Sequence, residues 1–275
     1  MNTQTIFITG ATDGIGKLTA IDLAKQNKNA AILIHGRNKN KLDKVIEEIK
    51  SASNNLNIEG YVADFSSMDE VRQLAKNVLS KHNTIDILIN NAGAGFAAAR
   101  YGKDGTETRL AVNYLAPFLL THLLLPAIKK AAPSRIVNVS SAGQSSIHFN
   151  DIMLEKNFDG VTAYTQSKLA LMMFTIDLAK ELKDDNVTVN ALHPGTYLDT
   201  NMVNEADINP HGTAQSGADA EVYLATSPNL RNVTGKYFNV KKESKAHTQA
   251  YDANARERLH DIAVKLTGLT EKIEI

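Results

Sequence analysis

Short apolar runs alternate with longer stretches of helical spacing along the first two thirds of this chain. The apolar runs predict six strands: TIFIT near Thr5, AAILI near Ala31, IEGYV near Ile58, IDILI near Ile85, RIVNV near Arg135 and VTVNAL near Val187. Segments between them, such as KLTAIDLAKQ and MDEVRQLAKNVL, predict amphipathic helices. Repeated βα units imply a parallel sheet with helices on both faces. No linker-like run interrupts the pattern, so residues 1–275 are expected to form one domain.

Charge and cysteine content exclude several classes of function. Lys and Arg together number 30, as do Asp and Glu, so no net field draws the chain to nucleic acid or an anionic membrane. The chain has no Cys, which excludes disulfides, thiol catalysis and Cys-ligated metals and favours a reducing compartment. The 8 His residues form no HExxH or similar cluster, so no metal is expected.

One apolar stretch, Leu110–Ile128, carries no charge and approaches membrane-spanning length. It also contains residues that suit hydrocarbon poorly: Asn113, Pro117, His122 and Pro126. A buried helix is therefore favoured over a transmembrane one. The first strand begins by about Thr5, which leaves no room for a signal peptide. A cytoplasmic protein without a membrane span is expected.

A glycine-rich turn, TGATDGIGK, follows the first strand and opens the first helix. Gly10, Gly14 and Gly16 would let the backbone approach a ligand closely. The free N–H groups at the start of the helix suit a pyrophosphate. The spacing is GxxxGxG instead of the common GxGxxG, and a purely structural turn is the alternative. The turn predicts a dinucleotide site.

The second strand ends in HGRN, where an NAD site usually carries an acid for the ribose 2′-hydroxyl. This chain has Arg37 there, with Lys17 just after the third glycine. Two cations and no carboxylate suit a 2′-phosphate, which favours NADP(H) over NAD(H). The alternative is that both are solvated surface charges.

Further polar residues follow the later strands, and the carboxyl ends of parallel strands share one edge of a sheet. They include Asp64 in VADFSS, Asn90, Asn91 and Gly93 in NNAGAG, Ser140 and Ser141 in NVSSAG, and the segment HPGTYLDT. Asp64 could accept from an adenine amino group or simply cap the next helix. Asn113, in the apolar helix, could serve the fold or the site, since a buried Asn needs partners in either case. Their common edge predicts a binding site.

Tyr164 and Lys168 in AYTQSKLALMMF lie one helical turn apart, on one helix face. An ammonium near the phenol is expected to lower the tyrosine pKa, which suits a general acid/base. A second YxxxK, Tyr237 and Lys241, reads as a strand because aromatic and β-branched residues surround it. At roughly 3.3 Å per residue its side chains would be about 13 Å apart, too far to share a proton.

The order of TGATDGIG, NNAG, Asn113, Ser141, YTQSK and PGTYLDT resembles the short-chain dehydrogenase/reductase family, from the first strand to about Val240. The stretches RIVNVSSAG, IHFND, AYTQSKLA and NALHPG are similar to its retinol-dehydrogenase-like branch. The resemblance implies a Rossmann-type doubly wound three-layer α/β/α fold with a mainly parallel sheet of about seven strands. The stretch at about 199–217, rich in Asn, Asp and Gly, is expected to form a substrate lid. The charged segment after Val240 has helical spacing at its end, which predicts a solvated helical tail at about 245–275.

The resemblance implies roles for individual residues. The catalytic set would be Asn113, Ser141, Tyr164 and Lys168, with Asn113 holding a water in a proton relay. Cofactor contacts would come from Gly10, Thr12, Asp13, Gly14, Ile15, Gly16, Arg37, Asp64, Asn91, Ala92, Gly93, Tyr164, Lys168, Pro194, Gly195 and Thr200. Ser141 would donate to a substrate carbonyl, and Thr200 would contact the nicotinamide carboxamide.

These roles predict an NADP(H)-dependent oxidoreductase that interconverts a ketone or aldehyde and an alcohol. The alternative is an NADP-binding redox sensor without turnover, although a sensor would need none of the four catalytic residues. A sugar-nucleotide epimerase would need a larger carboxy-terminal domain than this chain has left. The apolar face of LALMMFTIDLAKEL predicts a homodimer or homotetramer. The sequence names neither the substrate nor the direction of the reaction.

Overall fold

The parallel sheet forms in the computed structural model, which describes residues 3–269. Its strands are β1 (Thr5–Ile8), β2 (Ala31–Gly36), β3 (Ile58–Val62), β4 (Ile87–Asn90), β5 (Ser134–Val139), β6 (Val187–His193), β7 (Leu198–Asp199), β8 (Gly212–Thr213), β9 (Tyr237–Asn239) and β10 (Lys242–Ser244). Eight strands form the main sheet in the order β10-β9-β6-β5-β4-β1-β2-β3, and β7 pairs with β8 separately. All neighbours in the main sheet are parallel except β9 and β10.

The helices cover both faces of this sheet. They are α1 (Gly14–Gln26), α2 (Lys39–Ser53), α3 (Met68–Leu79), α4 (Thr108–Leu110), α5 (Ala116–Lys130), α6 (Gly160–Glu181), α7 (Asn201–Asn204), α8 (Ala214–Thr226) and α9 (Ala253–Thr267). Side chains from α1, α2 and α8 form the core on one face, and those from α3, α5, α6 and α9 form the core on the other. The predicted α/β/α fold is confirmed, with eight strands instead of about seven because the β9–β10 hairpin adds an antiparallel edge.

The chain reverses its direction across the sheet beside β1. It runs outward through β2 and β3, then returns to place β4 on the other side of β1. In sheets of this kind a crevice opens at the carboxyl ends of the two strands that flank the reversal. The glycine-rich turn after β1 and the NNAGAG segment after β4 therefore lie at one crevice, as the sequence predicted.

The long apolar helix lies inside the fold. Thr108–Lys130 is long and apolar enough to cross a membrane by length and composition, but 78% of its most apolar window is buried in the protein. Near its start, a π-helical segment, Ala111–Leu115, lies between α4 and α5. No sequence pattern predicted this π-helical turn, which contains Asn113.

The carboxy-terminal helix α9 packs on α6 and is not the solvated helix expected from its charges. Leu259 of α9 is 1% exposed, and Arg256 pairs with Asp177 of α6 at 2.6 Å. The LALMMF side chains of α6 are buried within this single chain, so the apolar face from which a homodimer or homotetramer was predicted is not exposed. The last six residues of the predicted tail, 270–275, lie outside the described residues.

Leu259→Ala is expected to lower the free energy of unfolding by about 2–4 kcal/mol, because it leaves a cavity between α9 and α6. Leu266→Ala in the same helix is the matched control, since Leu266 is 36% exposed and should cost no more than about 0.5 kcal/mol. Urea unfolding followed by circular dichroism measures both values. Equal effects in the two variants would show that α9 does not seal this core.

Candidate active site

Tyr164 and Lys168 share one face of α6, as predicted. The helix begins after Asp159, whose carboxylate caps it by accepting from the Thr162 N–H at 2.7 Å. The Lys168 ammonium lies 5.7 Å from the centre of the Tyr164 ring. Lys168 is 3% exposed and donates to the Val139 carbonyl at the end of β5, at 2.8 Å. The lysine thus joins the helix to the edge of the sheet where the crevice opens.

Burial, not the ammonium, dominates the protonation of Tyr164. It raises the pKa of the phenol, and a hydrogen bond with the Ser141 side chain opposes this rise. The direction is opposite to the lowering that the sequence predicted from Lys168, because a buried phenolate loses its hydration. Burial lowers the pKa of Lys168 to about 8, against the favourable field of the Glu221 carboxylate.

The two serines after β5 have different partners. The Ser140 hydroxyl donates to the Lys168 carbonyl at 2.8 Å, which ties the strand end to α6. The Ser141 hydroxyl accepts from the Gly143 N–H at 3.0 Å and is the side chain that opposes the rise of the Tyr164 pKa. Of the two, Ser141 is therefore the serine placed beside the phenol, in agreement with the position assigned to it from the sequence.

Asn113 is held by the backbone of the segment after β4. Its amide oxygen accepts from the Ala94 N–H at 2.7 Å, and its amide nitrogen donates to the Ala94 carbonyl at 3.1 Å and to the Ser167 hydroxyl at 2.9 Å. It is 1% exposed and lies in the π-helical turn Ala111–Leu115. Such turns are often found at functional sites. Asn113 therefore has the structural role that the sequence analysis left open. Its role in a proton relay stays a prediction.

The glycine-rich turn is packed closely against the end of β4. A Cβ on Gly10 would lie 2.6 Å from Cα of Ala92, and Gly10 has a positive φ of 65°. The Asn91 amide donates to the carbonyls of Thr9 and Gly10 at 2.8 and 3.0 Å. Asn91 thus fixes the shape of the turn, and any contact with an adenosine would be additional.

The groove beyond this turn leads to Lys168. Gly14 opens α1 with a φ of 50°, and a Cβ there would lie 3.2 Å from the Thr200 methyl group. A Cβ on Gly93 would lie 3.4 Å from the Asn113 amide oxygen and 3.5 Å from the Lys168 nitrogen. Side chains at these glycines would fill the groove. Its bare backbone, the start of α1 and the lysine together fit a dinucleotide.

The remaining residues predicted to bind the cofactor have the following places in the structure. The Thr12 methyl lies over Gly36, so close that a Cβ on Gly36 would clash with it. Asp13 caps α1 by accepting from the Gly14 N–H at 2.8 Å. Ile15 packs against Gly217 of α8, the last residue of the predicted lid. Pro194 and Gly195 follow β6, and Thr200 stands directly before α7.

The two cations predicted to favour NADP(H) differ in availability. Lys17 pairs with Glu48 at 3.1 Å, whereas Arg37 is exposed directly after β2 and makes no ion pair within residues 3–269. The sequence analysis missed Lys41, whose ammonium lies 2.7 Å from the Asp13 carboxylate. Arg37 is therefore the cation best placed to meet a further charge.

Asp64 organises its own turn. Its carboxylate accepts from the Ser66 N–H at 3.0 Å and from the Ser66 hydroxyl at 2.9 Å, and Lys103 lies 3.5 Å away. Burial opposes these contacts, but they outweigh it and lower the Asp64 pKa. Asp64 therefore holds the turn before α3 and does not cap that helix, whose Met68 N–H donates to Asp104 at 2.7 Å. The adenine contact stays a prediction.

His35 is a residue that the sequence analysis missed. It is buried in β2, where its Nδ1 accepts from the Gly10 N–H at 3.2 Å. Its Nε2 then carries the proton and donates to the Ala63 carbonyl at 3.0 Å, and the ring stacks on Phe65 at 4.1 Å. Burial lowers the His35 pKa to about 4, so the imidazole is neutral at pH 7. It joins the glycine-rich turn to the end of β3.

Glu221 was also missed, since a Glu within a helical run predicts a solvated face. It is fully buried between α8 and α1, where it accepts from the Thr19 hydroxyl at 2.8 Å. Its other oxygen has no hydrogen-bond partner among the described residues. Burial raises the Glu221 pKa to about 8, against the effects of Thr19 and Lys168.

Arg109 shapes the wall beside Tyr164. Its buried guanidinium pairs with Glu107 at 2.6 Å and donates to carbonyls of the segment after β4, among them that of Phe96 at 2.9 Å. The Phe96 ring meets Tyr164 edge-on at 4.7 Å. The phenol therefore faces an apolar wall that a buried ion pair holds in place.

The chain is similar to known proteins in both sequence and fold. Residues 4–210 match the short chain dehydrogenase family. The chain is 37% identical to mouse retinol dehydrogenase 13 and 34% identical to human retinol dehydrogenase 11, covering 97% of this chain and 84% and 86% of those proteins.

Solved structures show the same fold. One of an uncharacterized protein from Mycobacterium paratuberculosis aligns with a TM-score of 0.79 at 26% identity, over 98% of this chain and 95% of that one. Another, of an actinorhodin polyketide ketoreductase with NADPH, gives 0.70 at 25% identity, over 86% and 95% of the two chains.

The comparisons contradict the predictions of a cytoplasmic location and of no membrane span. The relatives are named as retinol dehydrogenases, which point away from a purely cytoplasmic protein and towards association with a membrane. The sequence argument failed because neither a lack of cysteine nor a balanced net charge bears on binding to lipid. The burial of Thr108–Lys130 concerns that helix alone.

Lowering the pH is expected to destabilise the fold through His35. Its folded pKa of about 4 lies below the ordinary 6.5, so the unfolded chain takes up a proton first as the pH falls. The stabilisation is fully present above pH 6.5 and is lost as the pH falls through 4. It amounts to about 3 kcal/mol at about 1.4 kcal/mol per pKa unit.

Comparison with His35→Gln isolates this contribution, because Arg37 and Asp64, the charged groups acting on His35, are present in both proteins. Free energies of unfolding are measured in urea between about pH 7 and pH 4.5. The wild type should lose stability with falling pH more steeply than the variant. Parallel curves would contradict the assignment.

Proposed function

The chain belongs to the short-chain dehydrogenase family, and we propose that it is an NADP(H)-dependent oxidoreductase that interconverts a carbonyl compound and an alcohol. The observation that carries the proposal is the convergence of three side chains. Ser141 from the end of β5 lies close enough to Tyr164 of α6 to act on its pKa, and Lys168 lies one turn further along that helix. Hydride transfer needs such a group of proton donors beside the reacting carbon, and a binding module does not.

The cofactor would lie along the groove between the glycine-rich turn and Lys168. The start of α1 would hold the pyrophosphate, and Arg37 would meet the 2′-phosphate of NADP. Asp64 and Asn91 would border the adenosine, and Thr200 would face the nicotinamide end. The bound nicotinamide would supply or accept the hydride; the chain itself orients it and manages the proton. The ketoreductase structure similar to this chain contains NADPH, which supports this choice.

In the reduction direction, the proposed roles follow from the contacts. The Ser141 hydroxyl donates to the substrate carbonyl and polarises it. Tyr164 gives its proton to the growing alkoxide, and the Lys168 ammonium stabilises the phenolate that remains. Asn113 holds the segment that ends in Ala94 and would position a water through which the proton is restored.

The substrate side of the pocket favours an apolar alcohol or aldehyde. Phe96 forms the wall against Tyr164, and Met202 of α7 lies against Gly95, where a Cβ would come within 2.5 Å of its side chain. The relatives are named for retinol, an apolar alcohol. A carbonyl group at the end of an apolar body would place its oxygen at Ser141 and Tyr164 while the body contacts this wall.

Tyr164→Phe is expected to lower kcat by about 100-fold to 10,000-fold, because the variant has no proton to donate. Affinity for NADPH, measured by fluorescence titration, should change by less than about twofold, since the ring and Lys168 remain. Tyr223→Phe, on α8 away from the groove, is the control and should keep wild-type kcat. Activity of Tyr164→Phe at the wild-type level would sink the proposed mechanism.

Arg37→Ala is expected to weaken NADPH binding by about 10-fold or more and to leave NADH binding nearly unchanged, because only NADPH has the 2′-phosphate. Arg231→Ala, another exposed arginine after α8, serves as the charge-matched control. Binding of both cofactors is measured by fluorescence titration at fixed ionic strength. An equal loss of affinity for NADH and NADPH would count against the role of Arg37.

A further inference from the structure

Tyr237, set aside in the sequence as half of a chance YxxxK, lies behind the proposed active-site serine. It belongs to β9, which pairs with β6 so that Tyr237 lies beside Ala191. The side chain is 5% exposed, and its hydroxyl donates to the Ser141 carbonyl at 3.0 Å. The partner Lys241 follows the strand in the hairpin turn, where Val240 has a positive φ of 55°, so the pair shares no proton.

The Ser141 carbonyl has a second donor. The Gln144 side chain donates to it at 2.8 Å, and the Gln144 oxygen in turn accepts from the His247 N–H at 3.0 Å. Gln249 accepts from the Ile147 N–H at 2.7 Å. Both lone pairs of one carbonyl are therefore used by side chains from outside the predicted catalytic set. The loop that carries Ser141 is held from β9 and from the segment that precedes α9.

Ser141 needs such support because it lies beyond the sheet. The register of β5 with β6 ends at Val139, and Ser140 makes a last backbone bond to Leu192 at 2.8 Å. The next peptide plane can therefore rotate unless side chains fix it. A rotation there would carry the Ser141 hydroxyl away from Tyr164, and short misplacements of catalytic groups are costly.

We infer that Tyr237 is a positioning residue for Ser141: its buried phenol fixes the Ser141 carbonyl and thereby holds the Ser141 hydroxyl against Tyr164. This inference rests on the role that the proposed function gives to Ser141. Burial raises the pKa of Tyr237 to about 12, so the phenol keeps its proton and remains a donor at neutral pH. The ring itself fills the core near β6, and a substitution that keeps the ring separates the two roles.

Tyr237→Phe removes the hydroxyl and keeps the ring. The variant is expected to lower kcat by about 3- to 10-fold, the effect of one buried hydrogen bond, with little change in KM or in NADPH affinity. Turnover is measured with NADPH and the best carbonyl substrate from a panel that includes retinal. In a Ser141→Ala background the same substitution should not lower kcat further, because the hydroxyl that Tyr237 positions is absent. Tyr61→Phe, a buried tyrosine on β3, is the matched control.

Amide hydrogen exchange gives a readout that does not depend on activity. The Gly143 N–H donates to the Ser141 hydroxyl at 3.0 Å, so its exchange rate reports the order of this loop. It should rise about 3- to 10-fold in Tyr237→Phe and not in Tyr61→Phe. The Ile32 N–H, bonded to Asn57 at 2.9 Å within the sheet, reports any loss of global stability.

The outcomes distinguish the inference from the proposed function. Full activity of Ser141→Ala would overturn the role of that serine and, with it, the inference. An inactive Ser141→Ala beside a Tyr237→Phe with wild-type kcat and unchanged Gly143 exchange would overturn the inference alone. If Tyr237→Phe lowers kcat by the same factor with and without the Ser141 hydroxyl, Tyr237 has only a structural role. A lower kcat together with faster Gly143 exchange in Tyr237→Phe, with neither change in Tyr61→Phe, supports the inference.

Discussion

The burial of the Lys168 ammonium is the constraint on which the site depends. A cation that is 3% exposed loses its hydration and must regain that energy from the protein. The Val139 carbonyl supplies one hydrogen bond at 2.8 Å, and Glu221 on α8 adds a favourable field when it is ionised. Since these groups belong to β5 and α8, the lysine can reach its place only when α6, the sheet edge and α8 have assembled correctly.

Buried amides align the same helix with the sheet below the site. The Asn90 side chain, at the end of β4, donates to Thr121 of α5 at 3.1 Å and to Asn138 of β5 at 2.8 Å. Asn138 in turn donates to the Thr175 hydroxyl of α6 at 2.9 Å. Hydrogen bonds in an apolar interior have narrow geometric tolerance and are costly to break. This series of hydrogen bonds therefore sets the position of α6 along the strands more sharply than apolar contacts alone. Because Tyr164 lies on α6, its position is set by the same hydrogen bonds.

The sequence predicted what depends on local pattern and failed where distant segments meet. Alternating apolar runs gave the parallel sheet, and strand ends placed Asn91, Ser141 and the glycine-rich turn at one edge. No local pattern reveals that α9 covers α6, because the two helices are distant in sequence: Arg256 of α9 bonds Asp177, which lies 79 residues earlier. Tyr237 was dismissed for its spacing to Lys241, when its partner is Ser141 across the sheet. His35 and Glu221 gave no local signal because their burial comes from tertiary packing.

In the resting site Tyr164 is protonated and can act as an acid. Burial raises the Tyr164 pKa and the Ser141 hydrogen bond only opposes this, so the phenol holds its proton at neutral pH and is ready to donate. Donation leaves a phenolate that Lys168 can stabilise only while the lysine is itself charged. Burial lowers the Lys168 pKa to about 8, and the negative charge of Glu221 works against that lowering. Below about pH 8 the ammonium therefore keeps its charge, while Glu221, whose pKa burial raises to about 8, is mostly protonated at neutral pH.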